Sequence, residues 1–321
     1  MHSAIPFIER RPSSISATGF ILILIFSFAA AIASLATGLT FSHLPSVLLL
    51  TVGAAVLDLF CRLAPRSPII NAVQTIIFGV LYLAMTCWCG VLTAYATQRL
   101  SFPLQDGLFE SVDRALGLNW LEAMHWVDRH PILNENLAFA YNTMSAQIAI
   151  PVVVLGILNQ VDELRRYLVG FAIALMITTV AAAFLPVLSH IAFIDRASFA
   201  SLKFSGATPV EHLARLRLPG PTLLSGRVGG LLGFPSFHAT VAILTPLVLR
   251  KYRAIFLPLL LLDAAMLCST VTEGAHYGCD VIAGACVAVT AYLLAGWSVE
   301  EASKSTVKPA PFTGYGTQPA R

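Results

Sequence analysis

The sequence predicts an all-α fold, a polytopic membrane helical bundle of about eight spans, and three observations carry that expectation. Only 12 % of its 321 residues are charged while 57 % are apolar, and mean hydropathy is +0.77. Soluble domains carry roughly 25 % charged and about 45–50 % apolar residues. Twenty Lys and Arg with seventeen Asp and Glu cannot clothe a soluble protein of this length, so much of the surface must face lipid. Apolar runs near the ~20 residues that a membrane-crossing helix needs recur along the chain. The basic residues cluster between alternate runs, as a bundle oriented in a bilayer requires. Disordered, fibrous, coiled-coil and secreted disulfide-scaffold classes are excluded, and a net charge of +3 carries no nucleic-acid signal.

The elements follow in order. Residues 1–16 form an N-terminal segment ending near Arg10 and Arg11, and residues 17–97 hold three spans, Ala17–Leu39, Leu44–Leu63 and Ile69–Thr97. The first run is too long for a signal peptide and lacks a small-x-small cleavage site, so it reads as a retained span. Residues 98–131 form an extramembrane segment whose stretch Arg114–His130 alternates apolar and polar residues at helical spacing, an interfacial helix lying as a lid. Residues 132–298 hold five further spans, Ile132–Leu158, Tyr167–His190, Phe237–Leu249, Ala254–Thr272 and Tyr277–Ser298. The sixth of the eight is short and crosses only if its ends extend into the flanks. Helix is the economical conformation throughout, because lipid offers backbone N–H and C=O groups no partner. Residues 299–321, rich in Pro, Gly, Ser and Thr, read as a disordered tail.

With eight spans, Arg10, Arg11, Arg62, Arg66, Arg165, Arg166, Arg250, Lys251, Arg253, Lys304, Lys308 and Arg321 all fall on one side. The positive-inside rule makes that side and both termini cytoplasmic. The other basic residues lie in two long segments on the far face, about 98–131 and 191–236, where they either keep the loops soluble or hold an anionic substrate. All six cysteines lie in or at the ends of spans, where packing is their usual role. No zinc, redox or other metal site and no cofactor is expected.

Two stretches on that far face carry candidate chemistry. In Gly233-Phe234-Pro235-Ser236-Phe237-His238, proline suits a helix start, and the amides of Ser236, Phe237 and His238 are expected to point outward as a phosphate site beside His238. In Ser269-Thr270-Val271-Thr272-Glu273-Gly274-Ala275-His276-Tyr277-Gly278-Cys279-Asp280, His276 and Asp280 stand four apart and share a helical face. A carboxylate accepting from one ring nitrogen fixes the tautomer and leaves the other lone pair free to attack. Two adjacent crossings bring both histidines to one membrane face.

These residues resemble the type 2 phosphatidic acid phosphatase (PAP2) superfamily of membrane lipid phosphatases and phosphotransferases. Its second motif has a P-S-G-H core, matched by Pro235-Ser236-Phe237-His238, and its third ends in H-x-x-x-D followed by V-x-x-G, matched by His276 to Gly284. The resemblance covers about 210–298 and places a PAP2-type core in the C-terminal half. It implies that His276 is a nucleophile forming a phosphohistidine, that Asp280 orients it, that His238 protonates the leaving alkoxide and that Ser236 helps bind phosphate. A phospholipid or lipid phosphate is the implied substrate and the membrane the implied partner.

Three departures stand out: no K-x6-R-P first motif is present, Thr270 stands where the third motif has arginine, and Phe237 replaces a glycine. The pattern is similar to the branch containing fungal inositol phosphorylceramide synthase, with F-P-S-x-H, Ser-Thr ahead of H-Y-x-x-D, and Asp113-Arg114-Ala115-Leu116-Gly117 with Asn119-Trp120. That extends coverage to roughly 110–298. Arg227, eleven residues before His238, is the first candidate for the missing phosphate cation, followed by Arg215, Arg217, Arg196 and Arg129.

Asp263, in mid-span, is expected to pair inside the bundle with Asn142 or Gln147, and Asp58 with Arg62. Glu273 reads as a loop residue near the interface, or else as a second polar group in the site, and Trp88, Trp120, Trp126 and Trp297 as interfacial anchors. The expected function is phosphoryl or phospho-head-group transfer at the extracytoplasmic face, to water or to a lipid or polyol hydroxyl. The competing expectation is a catalytically silent transporter or scaffold that retains the fold.

Overall fold

A computed structural model describes residues 67–204 and 231–306, with scattered positions among 32–63 and 213–224. The first two expected spans and the Asp58–Arg62 pair fall almost wholly outside the described residues. What is described there includes a short strand, β1 (Leu39–Phe41), pairing in parallel with β2 (Thr222–Leu224).

Nine α-helices are described: α1 (Pro68–Gln98), α2 (Asp106–Ala115), α3 (Trp120–Asp128), α4 (Pro131–Asn142), α5 (Met144–Ile157), α6 (Val161–Phe184), α7 (Phe237–Leu249), α8 (Arg253–Thr272) and α9 (Gly278–Thr306). Helix α1 opens on a cap, the Ser67 hydroxyl accepting the Ile70 amide at 3.2 Å with Pro68 in the first turn. It spans about 46 Å at 1.5 Å per residue, ample for a bilayer. Arg99 at its end donates to the carbonyls of Leu218 and Gly220 and to Thr222, tying α1 to β2.

Four helices are long and apolar enough to cross a membrane: α1, α6, α8 and α9 over Gly278–Trp297. Their outward side chains are apolar as well, for example Val80 on α1, Val180 and Phe184 on α6, Leu261 on α8 and Leu293 on α9. A solvated bundle would put charge there, so these faces suit lipid and the chain is a membrane protein.

Of the six expected spans in the described region, two fall short of a single straight crossing helix. The fourth expected span is a bent pair, α4 and α5, meeting at 52°. Its break at Thr143 is held by polar groups, the Thr143 hydroxyl donating to the Ala140 carbonyl at 2.7 Å and the Gln147 amide to that hydroxyl at 2.8 Å. The sixth, α7, has 13 residues, about 20 Å, short of a bilayer core of about 30 Å. Its apolar character comes from protein neighbours, since it packs against α5, α6, α8 and α9. Val241, Leu244, Val248 and Leu249 of α7 join Val152, Leu155, Tyr167 and Met266 in the main core. The Tyr167 hydroxyl is satisfied there by the Ile148 carbonyl at 2.8 Å.

Helix α6 starts and ends earlier than expected, because Leu185 precedes Pro186 and leaves the helical region. His190 therefore sits outside the span, in a short 3₁₀ turn, His190–Phe193. Helix α9 runs past Ser298 to Thr306, so the boundary expected at residue 299 falls within it. The single lid helix expected over Arg114–His130 is instead parts of α2 and α3, packed onto the bundle. A second core of Met124, Val127, Leu137, Ile191, Phe199 and Ala275 holds the 191–204 excursion on α3 and α4. Asp263 takes its hydrogen bond from the Thr245 hydroxyl of α7 at 3.2 Å rather than from Asn142 or Gln147, whose amides go to Ala138 and Thr143.

Candidate active site

The segment before α7 and the segment between α8 and α9 meet as the spacing predicts, but through backbone as much as side chain. Ser236 caps α7, its hydroxyl accepting the Ala239 amide at 3.3 Å. The Ser236 amide, expected to face a ligand, donates to the Asp280 carbonyl at 3.0 Å. Pro235 lies before the cap, not in the first turn. Phe237 and His238 are the first two residues of α7, so their amides have no acceptor within the helix. The Phe237 ring turns into the core, edge-on to Phe171 with centroids 5.5 Å apart. One turn further, the Thr240 hydroxyl donates to the Gly284 carbonyl at 3.0 Å, joining α7 to α9. A Cβ at Gly284 would overlap the Ser236 carbonyl oxygen and touch Ala239 Cβ at 3.0 Å, so only glycine permits this approach.

His276 and Asp280 do not share a helical face. His276 precedes α9, reached through Gly274 and through Ala275 at φ +58°. Asp280 lies in the first turn of α9, and its Oδ2 accepts the Tyr277 amide at 2.9 Å. His276 Nδ1 is 2.8 Å from the Gly233 carbonyl and 3.5 Å from Asp280 Oδ2. A carbonyl only accepts, so Nδ1 carries the proton and Nε2 keeps its lone pair. The tautomer expected from Asp280 is thus set first by Gly233, with the Asp280 charge behind it. His276 is 6 % and Asp280 1 % exposed, so their mutual field is little screened by water.

His238, in the first turn of α7, lies within electrostatic reach of His276. Its ring stacks on Tyr141 of α4, centroids 4.0 Å apart and planes 13° from parallel. A Cβ at Gly274 would lie 2.6 Å from the Thr270 carbonyl, 2.8 Å from Tyr141 Cε2 and 3.0 Å from His276 Cδ2. Tyr141 thus stacks on His238 and borders His276 across the space that Gly274 leaves open.

Helix α2 braces the site from outside. Its buried face presents Asp106, Phe109 and Asp113. Asp113 accepts the amides of Gly278 at 2.7 Å and Cys279 at 2.8 Å, capping α9 beside His276. Asp106 accepts the amides of Leu188 at 3.0 Å and Ser189 at 2.9 Å and the Tyr277 hydroxyl at 3.2 Å. Trp120, expected as an interfacial anchor, stacks instead on His190, centroids 4.3 Å apart and planes 4° from parallel. Glu273 is fully buried rather than interfacial, with Oε1 3.4 Å from the Lys203 amide.

Among the candidate cations, Arg227 lies outside the described residues. Arg217 gives a guanidinium N–H to the Phe102 carbonyl at 2.9 Å, and burial lowers its pKa while Asp106 partly restores it. Arg129 ends α3, and Arg129, Arg196 and Arg215 are exposed. Tyr141, Asp106 and His190 were missed in the sequence, where an isolated polar residue beside an apolar run gives no sign of its tertiary neighbours. Asp113 stood in a family-like stretch without a role of its own, and Trp120 was given a different one.

Residues 108–294 match the family model described as the PAP2 superfamily. No curated protein and no solved structure matches the chain. The match begins at the bracing helix α2, spans more than half of the sequence and takes in both histidine segments, and the chain therefore belongs to the PAP2 superfamily.

Proposed function

We propose that this protein is an integral-membrane lipid phosphatase or phosphotransferase that works through a phosphohistidine at His276, at the extracytoplasmic face. The observation that carries the reading is the hydrogen bond from His276 Nδ1 to the Gly233 carbonyl with Asp280 behind it, which leaves Nε2 as a fixed nucleophile. Nε2 attacks phosphorus, the bond to the lipid oxygen breaks, and the imidazolium character that develops on His276 is balanced by Asp280. His238, which takes up a proton from water as the anionic phosphoryl group binds, delivers that proton to the departing alkoxide. In the second half-reaction an acceptor O–H attacks the phosphohistidine, gives its proton to His238 and returns His276 to its starting state. Ser236 holds the start of α7 so that the Phe237 and His238 amides face the phosphoryl oxygens, with Arg227 as the proposed cation.

Water as acceptor makes the enzyme a phosphatase and a lipid or polyol hydroxyl makes it a transferase. The likeness of Phe234-Pro235-Ser236-Phe237-His238 and of Ser269-Thr270 ahead of His276-Tyr277 to the inositol phosphorylceramide synthase branch supports transfer. The far-side placement rests on the clustering of Arg165, Arg166, Arg250, Lys251 and Arg253 at the ends of helices opposite the histidines.

The test is labelling of purified protein with a ³²P-labelled phospholipid, quenched in alkaline detergent. An alkali-stable, acid-labile phosphoenzyme is expected in wild type and none in His276→Ala. Asp280→Asn is expected to slow its formation by about 10²-fold or more. Label that persists in His276→Ala, or no turnover of any lipid phosphate, sinks the reading and leaves a silent membrane protein. Adding diacylglycerol or ceramide separates transfer, seen as a new phospholipid, from hydrolysis, seen as free phosphate.

A further inference from the structure

His190 is the buried titratable group that the proposed mechanism does not use. It is fully buried, and neither ring nitrogen has a hydrogen-bond partner. An imidazole without partners at that depth is costly unless another state of the protein supplies them. Its surroundings are nearly all electron-rich. Trp120 covers one ring face and Tyr277 meets it edge-on, centroids 5.7 Å apart. The carbonyls of Val271 and His276 face the ring without reaching bonding geometry. Asp106 bonds the amide of the preceding residue, Ser189, whose hydroxyl reaches the Ala275 carbonyl. The one group of opposite tendency is the His276 imidazole, itself backed by Asp280.

A neutral imidazole offers one N–H and one lone pair, so between two carbonyls it satisfies one and repels the other. An imidazolium donates to both, and an indole face is the best aromatic partner for a cation. Burial opposes that charged form, and with His276 it pushes the pKa down to about 3, so His190 is neutral while the site is empty. A phosphoryl dianion held against His276 reverses the local field.

We propose that His190 is a positioning residue that takes up a proton when a phosphoryl dianion occupies the site, and as an imidazolium ties the Val271 and His276 carbonyls together on the face of Trp120. The proton comes from bulk water with the dianion and returns when phosphate leaves, and no covalent bond changes at His190. Val271 lies in the last turn of α8 and His276 carries the proposed nucleophile, so the tie draws the connecting turn tight only in the loaded state. It also supplies a positive charge where the sequence lacks the first-motif lysine and the third-motif arginine. The inference rests on the reading of His276 as the phosphoryl acceptor.

The test uses the full-length protein in detergent with inorganic phosphate as the probe, near neutral pH. Nitrogen NMR of ¹⁵N-histidine protein is expected to show His190 moving from neutral to imidazolium shifts on phosphate binding, with uptake of about one proton per site. His190→Gln is expected to abolish that uptake and to lower kcat about tenfold or more with little change in KM, and to remove an alkaline limb from the kcat–pH profile. His190→Phe, which keeps the stack on Trp120, is expected to show the same loss, separating the proton from packing. Phosphate binding with His190 still neutral overturns the inference and leaves the phosphohistidine reading standing. Failure of phosphate to bind at all overturns both.

Discussion

Asp113 of α2 accepts the backbone amide of Gly278 at 2.7 Å and so fixes the first turn of α9, two residues beyond the proposed nucleophile. Both of its oxygens are used, the second by Cys279, and the carboxylate is 1 % exposed. Asp113→Ala leaves two buried amides without acceptors and is expected to cost about 1–3 kcal/mol of stability. Asp113→Asn keeps one acceptor and is expected to cost less. Thermal unfolding in detergent checks the order of the two, and equal loss in both would mean that bulk, not the amides, matters.

Tyr141 stacks on His238 and borders His276 at Gly274. Tyr141→Phe keeps the ring and is expected to change turnover of a lipid phosphate by less than a few-fold. Tyr141→Ala removes the ring stacked on His238, and a fall of about 10²-fold in kcat is expected, the scale of losing a positioned acid–base group. Steady-state kinetics on the two variants decides it; a larger loss in the phenylalanine variant would assign the work to the hydroxyl.

Asp128 gives the 199–204 excursion a pH dependence of its own. Burial raises its pKa, but the Ser201 and Ala200 amides, the Ser201 hydroxyl and the Leu202 amide outweigh that and hold it below the usual carboxylate value. A depressed carboxylate contributes stability that is full above its unfolded pKa of about 3.9 and lost as pH falls through the folded value. Protection of the residue 200–202 amides, relative to their unfolded exchange rates, is therefore expected to be high and level above about pH 5 and to fall below about pH 4. In Asp128→Asn it is expected to be low at every pH.

How much of this was legible follows from what each residue touches. The bounds of α1 and α8 came within a residue of expectation, because a lipid-facing run is uniformly apolar and ends where a cap begins, as at Ser67. Helix α7 was legible as a short apolar helix, but not how its apolar residues are used, since burial among α5, α6, α8 and α9 selects the same residues that lipid does. The break at Thr143 hid in one polar dipeptide, Asn142-Thr143, inside an apolar run. At the site, the fixed spacing of His276 and Asp280 survived translation into space, but their contact arises at a helix start rather than along a helix face. Asp106, Asp113 and His190 act across 82 or more residues of chain or through ring stacking, and no local pattern encodes that.

The closest backbone approach in the site is made at Gly284, and it yields the sharpest contrast between two glycines of the bundle. A methyl at Gly284 collides with the Ser236 carbonyl and crowds Ala239, both fixed by the α7 cap, and neither is the end of a flexible side chain. A methyl at Gly170 of α6 meets Ala295 Cβ at 3.5 Å and the Ala291 carbonyl at 3.6 Å, ordinary contacts. Gly284→Ala is expected to force α7 away from α9, lengthen the Ser236 amide bond to Asp280 and cost about 1–3 kcal/mol, the usual toll of overpacking. Because the same shift moves His238 relative to His276, kcat is expected to fall by about 10²-fold even at temperatures where the variant is folded. Gly170→Ala, by contrast, replaces a helical glycine at no steric cost and is expected to be neutral or slightly stabilising. Unfolding midpoints and turnover measured side by side settle it, and a Gly284→Ala protein with wild-type kcat would show that the two histidines do not depend on the α7–α9 contact.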